Sequence, residues 1–244
     1  MKRKIIILLT VCITVASLNA NAQVRLDPFY PYSKWTFGVG MGYTRLFGDW
    51  PNPVSEPVYK ISLARNANEW VNLNFELEHG ALSEYEPKNT WTNGLNVYNQ
   101  FTGGAVTGNI ALGELFNWPK NWLGKTIYGI YLGAGIGYMH NNISNITLKF
   151  HNSDKSLITD FDPGNIKLKS NNLYIPFNLG IDLHITRLVI LNVNYQMNYA
   201  LSDYVDGYSF RAPVATNNYN DLYSTLIFGL HFYIGDVSMT PNRQ

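Results

Sequence analysis

Five ionisable residues sit in patterns that could do chemistry. Lys60 falls in Val58–Arg65, Glu76 and Glu78 in Trp70–Leu82, and Asp182 and His184 in Asn172–His184. In each run the residues at the intervening positions are large and apolar: Tyr59, Ile61 and Leu63, then Leu73, Phe75 and Leu77, then Leu179, Ile181 and Leu183. Such alternation is the period of a β-strand, which sends successive side chains to opposite faces. The five charges therefore share the polar face of a sheet with Ser62, Ala64, Asn72, Asn74, Asn178 and Gly180. Enclosed there, they read first as a structural ion-pair network that compensates buried charge. A gate or narrow ion path is the functional use of the same set, and an acid/base pair is the remaining one. A three-residue turn at Ala67–Glu69 sets Lys60 directly across from Glu76.

Other motifs lead less far. Gly38-x-Gly40-x-Gly42 and Gly133-x-Gly135-x-Gly137 are followed by Tyr43 and Tyr138. They lack both the spacing and the following helix of a nucleotide loop. Asp160-Phe161-Asp162-Pro163-Gly164-Asn165 begins like a calcium loop. Asn165 stands where the invariant Gly belongs and Asn171 where the closing Glu belongs, so the stretch reads as a turn. Asp203 and Asp206 suit loop bracing or weak cation binding. No catalytic, cofactor or metal site is assigned.

The elements that carry these residues are long strands. Asn172–Ser202 holds two of them: Leu173 to Leu183 and Val189 to Leu201 are apolar at every odd position, with a break at Thr186-Arg187. Six further strands are predicted, at about 34–48, 58–65, 70–82, within 95–112, 126–139 and 221–234. The phase of the fourth is ambiguous, and Gly103-Gly104 is read as a bulge. Runs of ten or so residues suit tilted strands crossing a bilayer. The polar face is mostly Gly, Asn, Ser and Thr rather than Lys and Glu. That composition suits the crowded interior of an eight-stranded barrel, where a soluble barrel would expose charge. The apolar face carries Trp35, Tyr43, Phe47, Tyr59, Trp70, Tyr128, Tyr138 and Tyr199 near strand ends, where aromatic girdles belong.

The chain's beginning and composition agree. Lys2-Arg3-Lys4, an apolar run from Ile5 to Leu18, and Ala20-Asn21-Ala22 make a secretory signal over residues 1–22. The barrel domain is then residues 23–244. The only cysteine is Cys12, so the mature chain has no disulfide. Without the three signal-peptide cations, 15 basic residues stand against 17 acidic ones, a formal charge of −2, and no basic patch suggests nucleic acid. Charged residues are 14% of the chain and aromatics 14%. With no helical span, export and alternation leave a closed barrel, which satisfies every backbone group in lipid. Connections after the second, fourth and sixth strands are the shorter ones, which places both termini in the periplasm and the long loops outside.

Gly38-x-Gly40-x-Gly42 with Phe47-Gly48-Asp49, Tyr131-Leu132-Gly133-Ala134-Gly135-Ile136-Gly137-Tyr138, Ser202-Asp203-Tyr204-Val205-Asp206-Gly207 with Asn220-Asp221, and Gly229-Leu230-His231-Phe232-Tyr233-Ile234-Gly235 together resemble the small bacterial outer-membrane barrels, in kind the OmpA-like barrel domain. The resemblance implies an all-β, eight-stranded, antiparallel, up-and-down barrel with a structural or interaction role. Outer-membrane lipids, lipopolysaccharide and the barrel-assembly machinery are the implied partners. Phe232 and Tyr233 are the implied assembly-signal aromatics. Only Asp236–Gln244 follow the last strand, so peptidoglycan binding is not carried over. A narrow pore for small solutes is the alternative. Some small barrels modify lipids, and the lipid A deacylases use His-x-Ser-Asn on a strand. The only His-x-Ser here, His151-Asn152-Ser153, is followed by Asp154 and lies in a predicted loop.

Overall fold

Alternating sequence becomes strand almost throughout. The computed structural model describes residues 30–47, 52–67, 71–85, 96–112, 129–147, 168–202, 205 and 220–240. The strands are β1 (Tyr30–Tyr32), β2 (Trp35–Phe47), β3 (Asn52–Val54), β4 (Glu56–Asn66), β5 (Val71–Tyr85), β6 (Asn96–Ala111), β7 (Ile130–Thr147), β8 (Lys169–His184), β9 (Val189–Ala200), β10 (Leu222–Ile234) and β11 (Ser238–Thr240). The chain divides into two units, Met1–Tyr30 with Thr240–Gln244, and Pro31–Met239. Of the first unit only Tyr30 and Thr240 are described. The signal expected over 1–22 lies outside the described residues, as do His151–Asp154, Asp160–Asn165, Asp203, Asp206, Trp70 and Tyr128.

The eight long strands, β2 and β4 to β10, pair with their sequence neighbours, and β10 pairs back onto β2. Every pairing is antiparallel, so the sheet closes as an eight-stranded up-and-down barrel. Closure removes the unpaired edges that an open sheet exposes. The short β3 adds to the end of β5, and β1 pairs with β11 in a separate two-stranded sheet.

The register fixes the barrel's tilt. Starting at Asn171 and stepping to paired residues gives His140, Thr102, His79, Tyr59, Met41, Phe228 and Val193, and returns to β8 at Ile181. One circuit thus slips ten residues along β8. At about 3.3 Å per residue and about 4.8 Å between strands, that slip sets a strand tilt of about 40°.

Two local expectations are corrected. The β4–β5 turn is longer than three residues: Asn66 pairs with Asn72, and the Ala67 N–H donates to the Val71 carbonyl at 2.9 Å. The register therefore moves by two, and Glu78 rather than Glu76 lies opposite Lys60. A shift of two preserves the faces, because the side-chain period is two. In β6, Gly103 and Gly104 pair regularly with Met139 and Tyr138, and the irregularity falls at Tyr98/Asn99. That phase turns Phe101, Ala105, Thr107 and Asn109 inward.

The β8–β9 turn is tight as expected. The N–H groups of Ile185 and Thr186 donate to the Val189 carbonyl, and the Thr186 hydroxyl accepts from the N–H groups of Leu188 and Val189. It lies at the same end of the barrel as the β4–β5 turn, the start of β2 and the end of β10. The connection 112–129 at that end is longer. The ends of β2, β5, β7 and β9 and the starts of β4, β6, β8 and β10 lie at the opposite end, called here the loop end.

The outer surface is an uninterrupted apolar belt. Met41 is 60% exposed, Leu77 65%, Ile136 57% and Phe177 53%. Among the described residues, Trp35, Tyr43, Phe47, Tyr59, Tyr138 and Tyr199 all face outward. No Asp or Glu occupies a described outward position on any of the eight barrel strands; Glu56, Glu76, Glu78, Glu84 and Asp182 all take lumen-side positions. A belt this large on a water-exposed protein would be an aggregation surface, whereas in lipid it is the stable outside.

Candidate functional site

Among the described residues, the lumen collects the buried polar chemistry of the fold, and it is built in three layers. At the loop end an apolar cluster sits among buried polar groups such as Thr44, Asn99 and Asn141. Leu46, Val58, Leu82, Phe101, Met139, Tyr174, Tyr223 and Ile227 form a buried cluster inside the barrel. The Tyr223 ring centroid lies 5.8 Å from those of Phe101 and Tyr174, in tilted and edge-on arrangements that aromatic quadrupoles favour. Val205, from the connection between β9 and β10, is fully buried in the same cluster. Its N–H donates to Asp221 Oδ2 at 2.8 Å, and its carbonyl accepts from Asn99 Nδ2 at 2.7 Å. Here the polar interior is joined by an apolar plug. Strand β5 runs three residues past its expected end at Leu82, β6 lies within its expected range, and Leu82, Val97 and Phe101 are buried in the mouth.

Glycines make room for the large inward rings. Gly137 pairs with Tyr174, and Gly180 pairs with Tyr131, in both cases between β7 and β8. A Cβ built on Gly137 would run into the Tyr174 ring, and one on Gly180 into the Tyr131 ring. The glycine at each cross-strand pair is thus a packing requirement, with the tyrosine lying over its partner's backbone.

The middle layer is charged. Lys60 Nζ lies 2.8 Å from Glu76 Oε2 and 2.8 Å from Glu78 Oε1. It also donates to Gln196 Oε1 at 2.6 Å, reaching from β4 to β9 across the barrel. Glu76 Oε1 accepts from Asn74 Nδ2 at 2.7 Å and from the Thr107 hydroxyl at 3.4 Å. Gln196 in turn donates to Asn198 Oδ1 at 2.9 Å. The side chains of Lys60, Glu76 and Glu78 are 8%, 3% and 1% exposed. Groups so desolvated are stable as ions only with close partners. Lys60 supplies Glu76 with a charge-assisted hydrogen bond and Glu78 with an ion-pair contact, while both Glu78 carboxylate oxygens lack a hydrogen bond among the described residues.

The third layer lies towards the tight turns and is an amide network. Asn192 Nδ2 donates to Asp182 Oδ1 at 2.8 Å and to the Tyr131 hydroxyl at 2.9 Å, and Asn194 Nδ2 donates to the same hydroxyl at 3.0 Å. Asn178 donates to Asn109, which donates to Asn72. His231 Nδ1 is 3.8 Å from Asp182 Oδ1, and His184 Nε2 is 3.0 Å from the Tyr233 hydroxyl.

The five residues singled out from the sequence therefore divide. Lys60, Glu76 and Glu78 come together in one cluster. Asp182 sits in the layer below with Asn192 and His231, and His184 pairs with Tyr233 at the end of β8. Two partners escape the sequence reading. Gln196 is invisible without barrel closure, which alone brings β9 across from β4. His231 shares the lumen parity of β10, and that parity is the signal that finds it. Among the described residues, no group of three or more His, Cys, Asp or Glu could hold a metal ion.

The sequence matches no protein-family model and no curated protein. Among solved structures, the chain is similar to Neisserial surface protein A, at 12% identity and a TM-score of 0.44, over 83% of this chain and 98% of that one. It is similar to Ail of Yersinia pestis in complex with the heparin analogue sucrose octasulfate, at 8% identity and a TM-score of 0.43, over 81% and 96%. It is also similar to the outer membrane protein OprG of Pseudomonas aeruginosa, at 9% identity and a TM-score of 0.39, over 85% and 99%. The chain shares with the small outer-membrane barrels the closed, antiparallel, eight-stranded architecture that its own strand pairing establishes.

Proposed function

We propose that this is an integral protein of a bacterial outer membrane with a non-catalytic, structural or interaction role: a closed barrel that displays long loops outside the cell. Residues 1–22 serve as an export signal, both termini lie in the periplasm, and the barrel-assembly machinery inserts the chain. The belt of exposed Met41, Leu77, Ile136 and Phe177 supports the membrane location. The observation that carries the packed-lumen reading is Lys60, which reaches from Glu76 and Glu78 on β5 to Gln196 on β9. An inserted side chain with partners on both walls obstructs an axial path for hydrated solute. The plug around Phe101, Tyr174 and Tyr223 supports the same reading from the loop end.

Planar-bilayer recording of the refolded protein tests it. The expected result is a silent bilayer with only rare, brief openings. A steady ohmic channel overturns the packed-lumen reading and leaves the narrow pore for small solutes in its place.

A further inference from the structure

The outer face of β5 to β8 changes character within two residues. Leu77, Gly104, Tyr138 and Leu173 form one paired row across the four strands and belong to the apolar belt. The next outward row towards the loop end is His79, Thr102, His140 and Asn171, and the one after is Ala81, Gln100, Asn142 and Lys169. His79, Thr102, Gln100, His140, Asn142, Asn171 and Lys169 are all exposed. His79 Nδ1 lies 2.9 Å from the Thr102 hydroxyl, and His140 Nδ1 lies 2.7 Å from Asn171 Oδ1. An amide oxygen only accepts, so Nδ1 of His140 carries the hydrogen. The two rings are thus each anchored through Nδ1, and Nε2 remains as the polar atom of an exposed ring.

We propose that this row, with Lys169, seats the phosphate headgroup of an anionic lipid whose acyl chains lie along Leu77, Tyr138 and Leu173. The inference rests on the outer-membrane reading above and names one lipid contact within it. Two features favour an anionic occupant. The outward positions of the barrel strands carry Arg45, Arg65, His79, His140 and Lys169 and, among the described residues, no carboxylate. The polar row is also continuous with the apolar belt, at the depth where a headgroup meets its chains. Lys169 acts as a point charge, for which charge-assisted bonds to phosphate are the strong ones, and the anchored rings of His79 and His140 stand on the same outward face as this lysine.

The test uses the full mature barrel in phosphatidylcholine nanodiscs, with bisphosphorylated lipid A added and retention read by native mass spectrometry. Wild type is expected to retain lipid A and not its dephosphorylated form. A His79→Gln, His140→Gln, Lys169→Gln triple variant is expected to bind about tenfold more weakly. Arg45→Gln, on β2 away from the row, should bind as wild type does. Should the triple variant fail to fold, as judged by heat-modifiable gel migration, the Lys169→Gln and His140→Gln single variants are read the same way and should each weaken retention. Equal retention by folded variants overturns the site, as does equal retention of dephosphorylated lipid A. Complete displacement by inorganic phosphate also overturns it, since that marks a simple anion site. Wild type that never inserts overturns the membrane reading together with this one, whereas insertion with unselective lipid retention overturns this one alone.

Discussion

Lys60 and Gln196 stand 136 residues apart in the chain, yet Lys60 Nζ donates to Gln196 Oε1 at 2.6 Å across the barrel. The same ammonium neutralises two carboxylates on the neighbouring strand. One side chain therefore ties β4, β5 and β9 together through a desolvated core. Removing it leaves Glu76 and Glu78 buried with no cation.

Lys60→Met is accordingly expected to destabilise the barrel by about 3–5 kcal/mol, the cost of stranding buried charge. Lys60→Glu should be worse, since it adds a third carboxylate. The triple variant Lys60→Met, Glu76→Gln, Glu78→Gln should recover most of the loss. Urea unfolding in lipid vesicles, followed by tryptophan fluorescence, reads all three. Equal midpoints for wild type and Lys60→Met would show that the ion pairs contribute nothing.

Parity in the sequence is enough to put Lys60, Glu76 and Glu78 on one face, because any even register shift keeps them there. It does not fix who faces whom. That depends on whether the chain turns over three residues or over the longer span from Ala67 to Val71, and the intervening Asn68-Glu69-Trp70 carry no decisive turn signal. Gln196 needs the closing pair β10–β2, a contact between the two ends of the barrel segment that no local pattern encodes. The aromatic plug is hidden for a different reason. Leu82 shares the lumen parity of Glu76 and Glu78, and Phe101 that of Ala105 and Thr107, so their direction follows once each strand's phase is known, but their meeting in one cluster depends on the register between strands.

The tyrosine–glycine pairs make a sharp packing test. A methyl at Gly137 meets the ring of Tyr174, which is fully buried and has nowhere to move. Gly137→Ala should cost about 1–3 kcal/mol through overpacking. Tyr174→Ala removes the ring and leaves a cavity, costing about 3–5 kcal/mol. In the double variant the methyl no longer clashes, so the costs should not add. A double-mutant cycle by thermal or urea unfolding checks this, and strict additivity would show that the two residues do not touch.

Asn99 holds the mouth of the barrel closed. Its Nδ2 donates to Asn141 Oδ1 and to the Val205 carbonyl, and its Oδ1 accepts from the Asn142 N–H at 3.2 Å. It thereby braces the irregular step in β6 and anchors the connection between β9 and β10. Asn99→Ala leaves the Val205 carbonyl without this bond in a dry site, at a cost of about 1–3 kcal/mol. The local effect should exceed the global one. Hydrogen exchange at the Val205 amide should accelerate strongly, while amides of β9 around Asn194 stay protected. Unchanged exchange at Val205 would mean that Asp221 alone holds it.

The solvent that surrounds the barrel can be read from two outward residues on β5. Leu77 lies in the apolar belt and is 65% exposed, and His79 follows it one row towards the loop end. If water surrounded the barrel, Leu77→Arg would be an ordinary surface substitution, within about 0.5 kcal/mol of neutral. In lipid the same change buries a guanidinium among acyl chains and costs about 2–4 kcal/mol near the midplane, falling to about 0–1 kcal/mol at the interface. Leu77→Arg is therefore expected to weaken folding into phosphatidylcholine vesicles by the larger amount, and His79→Arg by the smaller. Both should refold alike in detergent micelles, whose thin apolar layer lets a long side chain reach water. Equal, near-zero costs for the two in vesicles would place the belt in water and overturn the membrane reading itself.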